Sequence, residues 1–198
     1  MKQRQVQLKM VAKILRIICN VVFWITTVGF VLFLLASVFV SLIPRDNLVV
    51  PANVSGSLQA TFGGTMEFKF DPPATGDIMI KPFLQALFMW ISFGALMVSV
   101  ILFEVKRILK SVEVDNPFEK GNSKNLTVIA IALMASSVLV PIFEGRIGNV
   151  IIETLKISNM HISYSPDGNL LFTGILILIL AGVFKYGNYL QEEVDSTL

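Results

Sequence analysis

Hydropathy divides the chain into long apolar runs and short charged segments. Four runs, 17–44, 82–103, 125–143 and 168–184, contain no Asp, Glu, Lys or Arg. A helix rises about 1.5 Å per residue and the hydrocarbon core of a bilayer is about 30 Å thick, so about 20 apolar residues cross it. The first three runs meet that length. The fourth is short, but Lys185 can snorkel its ammonium to the headgroups while its methylenes stay in lipid, and Tyr186 and Tyr189 follow where an interfacial aromatic belt falls. The pattern predicts one membrane domain over 1–198, with spans at about 17–43, 82–103, 125–143 and 169–186. The first run is much longer than the core of a cleaved signal peptide, about 7–15 residues, and no small-x-small site follows it, so a retained signal-anchor is expected.

Between the runs the period changes. In the first outer loop, 44–81, Leu58, Ala60 and Phe62 alternate with polar residues; after Gly63-Gly64, Met66, Phe68 and Phe70 do the same. Period two on both sides of a glycine pair is a hairpin signal. A two-residue turn pairs Phe62 with Thr65 and mixes the faces, whereas a three-residue connection pairs Phe62 with Met66, Ala60 with Phe68 and Leu58 with Phe70. A one-residue slip moves every side chain to the other face, so apolar matching favours the longer connection. The second outer loop, 144–168, carries a further alternating stretch at Leu155, Ile157 and 161–164, closed by a Ser165-Pro166-Asp167-Gly168 turn. A lone hairpin is marginal in water. The two loops are therefore expected to join in one extracellular sheet with Leu58, Phe62, Met66, Phe68 and Phe70 on its apolar face. The expected fold is mainly α: a four-transmembrane-helix bundle with a small extracellular β-sheet cap formed by the two outer loops.

Composition agrees: 54% of residues are hydrophobic and 15% charged, against roughly 25% charged in an average soluble domain. The basic residues set the orientation. Eleven Lys and Arg fall before the first span, in the 104–124 loop and in the 187–198 tail with its leading Lys185, and five fall in the outer loops. The positive-inside rule then places both termini and the middle loop in the cytoplasm.

The cytoplasmic segments carry the local signals. Lys9, Lys13 and Arg16 recur on one helical face before the first span, suited to anionic headgroups. Asn116-Pro117-Phe118-Glu119 places a capping residue, then proline, then an acid, so the third helix is expected to start near Pro117. Gly121 and Asn122 are expected to weaken its exposed beginning. In the tail, Tyr186, Leu190 and Val194 form an apolar stripe at intervals of four. Glu192, Glu193 and Asp195 give that end a charge opposite to Lys106, Arg107 and Lys110. The stripe either packs on that loop within the molecule or docks a partner. The candidate cytoplasmic interaction residues are Asn116, Pro117, Phe118, Tyr186, Leu190, Gln191, Glu192 and Val194.

These same segments carry a family likeness. Asn116-Pro117-Phe118 with Asn122 and Leu126, and the ending Phe184-Lys185-Tyr186-Gly187…Leu190-Gln191-Glu192-Glu193…Asp195…Thr197-Leu198, resemble a bacterial family of four-helix membrane proteins catalogued only as a domain of unknown function. The likeness runs from the first span to the C-terminus; Gly121 and Ser123 depart from the more basic helix usual after the Asn-Pro-Phe motif. The resemblance implies a bacterial plasma-membrane protein, in a family often encoded beside a small helix-turn-helix regulator. It implies no activity and no catalytic residues.

The residues that chemistry needs are sparse. The single Cys19 excludes a disulfide within the chain and reads as a small apolar residue. The single His161 has no His, Cys, Asp or Glu within four residues. No nucleotide-binding glycine loop, nucleophile elbow or zinc helix is present. The reading is therefore non-enzymatic, with no cofactor, no metal and no direct nucleic-acid binding. No ionisable residue lies at mid-depth in a span, whereas conduction pathways usually carry them. Ser and Thr hydroxyls and small residues such as Gly94, Ala95 and Ala135 fit helix packing. Glu104, Glu144 and Arg146, at span ends, are expected to reach water. The expected role is a sensor or regulatory partner linking an outer signal to a cytoplasmic protein, with the lipid bilayer and such a regulator as partners, and self-association into a homo-oligomer left open. The alternative is a small transporter, exporter subunit or immunity protein, and a third reading is a packing subunit of a larger membrane complex.

Overall fold

The computed structural model describes residues 2–44, 47–51, 58–62, 66–70, 77–114, 116, 118–154, 162 and 164–197, with backbone alone at 2–5, 50–51, 58–62, 66–70, 77–78, 195 and 197. Helix α1 runs Lys2–Leu42, α2 Lys81–Glu113, α3 Lys120–Thr154 and α4 Gly168–Thr197, with short strands β1 Val49–Pro51, β2 Leu58–Phe62, β3 Met66–Phe70 and β4 Asp77–Met79 between α1 and α2. Each helix contains a stretch long and apolar enough to cross a membrane. The fold is mainly α.

The chain forms two compact units. One comprises Met1–Gly29, Gly94–Val138 and Pro166–Leu198; the other comprises Phe30–Phe93 and Leu139–Ser165.

In the first unit large apolar side chains point outward and small or polar ones inward. Trp24 and Ile25 are 58% and 65% exposed, whereas Ala130 and Ser137 are fully buried and Asn122 is 1% exposed. This inverts the arrangement of a soluble domain and suits helices solvated by lipid. Close approach follows from small residues. A Cβ on Gly174 of α4 would lie 3.0 Å from the Ala130 carbonyl oxygen and 3.2 Å from the Met134 nitrogen, both on α3. Gly94, expected to serve packing, faces open space instead.

Helix α4 starts on a cap. Asp167 Oδ1 accepts from the Asn169 and Leu170 backbone N–H groups at 2.8 and 3.1 Å, as a helix N-cap should. The Asp167 N–H itself donates to the Ser137 carbonyl of α3 at 2.8 Å. That carbonyl is available because Pro141 lies inside α3: proline has no N–H, so the oxygen four residues earlier loses its helical donor. The start of α4 supplies the missing one.

The second unit is built on an apolar cluster of Ala86, Ile147 and Ile151, with Phe83, Trp90 and Val150 packed against it. Phe93 and Phe143 stack at 4.8 Å between centroids. Lys81 Nζ donates to the Ser41 and Ile43 carbonyls at 2.9 and 2.5 Å, where a cation meets the unsatisfied end of α1. A Cβ on Gly145 would overlap the Tyr164 ring, and Asn149 Nδ2 donates to the Tyr164 hydroxyl at 2.7 Å, so glycine lets that ring lie close against α3.

The strands correct the expected cap. β2 pairs with β3 in the register Leu58↔Phe70, Ala60↔Phe68, Phe62↔Met66, the one that the longer connection requires. β1 pairs separately with β4, Val50 opposite Ile78. Both two-stranded sheets come from the first loop. The second adds no strand among the described residues, so the single cap built from both loops is not supported. The reason lies in α3, which does not stop at Phe143 but continues to Thr154, taking into a helix residues expected to be loop. Residues 155–161 and 163, which carry most of the second alternating stretch, lie outside the described residues. So do the side chains of Leu58, Phe62, Met66, Phe68 and Phe70.

Candidate interaction site on the third and fourth helices

The Asn-Pro-Phe motif and the tail motif meet. Helix α2 is closed by the Asn116 N–H donating back to the Ser111 carbonyl at 3.0 Å, a six-residue Schellman-type link. A turn follows, with the Glu119 N–H donating to the Asn116 carbonyl at 3.2 Å. Helix α3 then begins at Lys120, later than the expected start near Pro117, with the Asn122 N–H donating to the Glu119 carbonyl at 2.8 Å. Pro117 lies outside the described residues.

The turn grips α4. The Phe118 and Phe184 rings lie 5.3 Å apart, and Asn188 Nδ2 donates to the Phe118 carbonyl at 3.0 Å. A Cβ on Gly187 would come within 2.8 Å of the Phe118 ring. Phe184, Gly187 and Asn188 thus form one receptor for Phe118. Lys120 Nζ lies 3.4 Å from Glu192 Oε1, both side chains largely exposed. The tail's Glu192 thus pairs with Lys120 of the 104–124 loop, while Lys106 donates to Asn20 Oδ1 at 3.1 Å and Arg107 to Glu104 Oε2 at 3.2 Å.

The stripe continues past the grip. Tyr186, Leu190 and Val194 are 64%, 43% and 57% exposed, and Gln191 and Glu192 are exposed beside them. Carboxylates are costly in hydrocarbon, so the turn of α4 holding Glu192 and Glu193 lies in water, and Val194 with it.

Beneath the site is a buried polar network that sequence reading missed. Asn125, with its amide nitrogen toward α2, donates to Glu104 Oε2 at 3.0 Å and to the Gly121 carbonyl at 3.2 Å. Asn122 Nδ2 donates to Ser111 Oγ, which donates to the Ile108 carbonyl at 2.8 Å. Glu104 is only 8% exposed, so it does not reach water as expected; its ionic partner Arg107 is the exposed member of the pair. Asn122 is likewise core, not a frayed helix start. The available signal was spacing: Asn122, Asn125, Leu126, Ile129 and Ala130 recur at three and four, one face of α3. Glu144 is also buried, whereas Arg146 is exposed. Cys19 is half-buried.

Four long apolar helices with polar groups gathered inward define a protein of the multi-pass membrane class. The chain belongs to the family described as "Protein of unknown function (DUF2975)", whose profile matches residues 46–198. The match starts after α1, later than the expected likeness from the first span onward. No curated protein and no solved structure matches the chain.

Proposed function

We propose that this is a non-enzymatic regulatory protein of the bacterial plasma membrane, with both termini in the cytoplasm, that holds a soluble protein at the end of α4. The observation that carries this reading is the Tyr186–Leu190–Val194 stripe, exposed on a helix whose base is gripped by Phe118. An apolar stripe flanked by Glu192 and Glu193 suits a partner with a basic, amphipathic helix face. A small helix-turn-helix regulator, basic because it binds nucleic acid, is the partner proposed. The strands between α1 and α2 are the proposed outer receiver of the signal. A relay requires two states that differ in how the stripe is presented.

The test is a crosslinking capture from native membranes, comparing the full chain, a chain ending after Tyr189, and Leu190→Glu/Val194→Glu. A DNA-binding protein captured by the full chain and by neither variant supports the reading. The same captures from all three, or none containing a soluble regulator, overturn it and bring transport or immunity forward.

A further inference from the structure

Helices α1 and α2 leave a groove of about 470 Å³ where their uncharged runs meet their basic ends. The run in α1 begins at Ile17, directly after Arg16; the run in α2 ends at Phe103, and Lys106, Arg107 and Lys110 follow. The helices run antiparallel here, with Arg16 beside Glu113 and Asn20 beside Lys106, so both change from apolar to basic at one level. The lining is divided accordingly. Arg16, Lys106, Arg107 and Lys110 form the polar part; Ile17, Val21 and Phe103 form the apolar part.

The charges do not cancel. Glu104 faces Arg107, and Glu113 Oε1 lies 2.9 Å from Arg16 Nε, off the hydrogen-bonding direction. Among the described residues, four cations thus face two carboxylates. Lys106 is held in place: its ammonium donates to Asn20 at 3.1 Å and stands 3.6 Å from the centroid of Phe23. An ammonium has three donors, so Asn20 leaves some for an anion. Ile17, Val21 and Phe103 are 54%, 53% and 45% exposed, an apolar surface that a soluble anion has no means to cover.

We propose that this groove is a binding site for an anionic phospholipid, its phosphate among Lys106, Lys110 and the two arginines and an acyl chain along Ile17, Val21 and Phe103. Basic pockets between membrane helices select anionic headgroups in this way.

Trp24 reports on it. It is exposed, sits edge-on to Phe23 at 5.6 Å, and lies about 10 Å along α1 from Ile17, at acyl-chain depth. Trp90→Phe leaves it the sole indole. In phosphatidylcholine vesicles doped with dibrominated phosphatidylglycerol or dibrominated phosphatidylcholine, Trp24 quenching is expected to favour phosphatidylglycerol by about tenfold in apparent affinity. Lys106→Gln/Lys110→Gln is expected to bring the two lipids close to parity. Lys124→Gln/Lys185→Gln, which removes equal charge elsewhere, leaves the preference intact. Equal quenching before any lysine is changed overturns the site, as does equal loss in both double variants. Inorganic phosphate at millimolar concentration, matched in ionic strength with chloride, is expected to change nothing. If it abolishes the preference, the groove reads a free anion and the lipid assignment falls. Spin-labelled phosphatidylglycerol with the unsubstituted chain gives an independent measure: a motionally restricted fraction no larger than for phosphatidylcholine also overturns it.

Discussion

Adding a single methyl group at Gly174 tests how α4 is held against α3. The new Cβ would lie 2.6 Å from Met134 Cγ, 3.0 Å from the Ala130 carbonyl oxygen and 3.2 Å from the Met134 nitrogen. The Met134 side chain can swing aside, but the two backbone atoms cannot, so the helices must part by a few tenths of an ångström. Overpacking of this kind costs about 1–3 kcal/mol. Alanine returns up to about 1 kcal/mol through helix propensity. Gly182, on the same helix, faces open space, so Gly182→Ala gains the propensity without the clash. The difference between the variants isolates the steric cost, and Gly174→Ala is expected to be less stable than Gly182→Ala by about 1–3 kcal/mol. Reversible unfolding in mixed detergent and dodecyl sulfate micelles, followed by circular dichroism, measures it. A Gly174→Ala protein as stable as Gly182→Ala would show that α3 and α4 do not touch there and refute the packing.

The same unfolding assay addresses other contacts. Asp167→Ala removes an N-cap with two N–H partners and should cost about 0.5–2 kcal/mol. Asn122→Ala, which takes a buried amide from Ser111, should cost about 1–3 kcal/mol, whereas a double-mutant cycle on exposed Lys120 and Glu192 should find a coupling under about 1 kcal/mol. Gly145→Ala should expel the Tyr164 ring from α3, making the tyrosine hydroxyl more accessible to chemical labelling; unchanged labelling contradicts the contact.

Length and hydropathy made the helices legible, because crossing about 30 Å of hydrocarbon demands a run of uncharged residues visible in one dimension. The β2–β3 register was legible for a similar reason, since period two tolerates no slip. What failed was reading polarity as exposure. Asn122 and Glu104 look like water-facing residues at span ends, but among lipid-solvated helices the interior is where amides and hydroxyls find donors and acceptors. The end of α3 failed differently: Glu144 and Arg146 interrupt the apolar run without ending the helix, which extends past them to Thr154. The Phe118 receptor was half legible. Both motifs stood out, but that Gly187 is the space for an aromatic ring is a three-dimensional fact with no linear period.

The bond between the start of α4 and the Pro141-freed carbonyl works as an axial index. A piston stroke of one turn, about 5.4 Å, would part the Asp167 N–H from the Ser137 oxygen, which belongs to a fully buried residue and has no other donor from its own helix. Swivelling or tilting about that point leaves this bond intact but must open the Phe118 grip at the other end of α4. The tail that begins at the other end of α4 is thus pinned in depth and moves sideways only when Phe118 lets go, so whatever sits on Leu190 and Val194 is carried along the membrane plane rather than toward or away from it. Distances between spin labels along the two helices check this: a lengthwise slip in any condition contradicts the index.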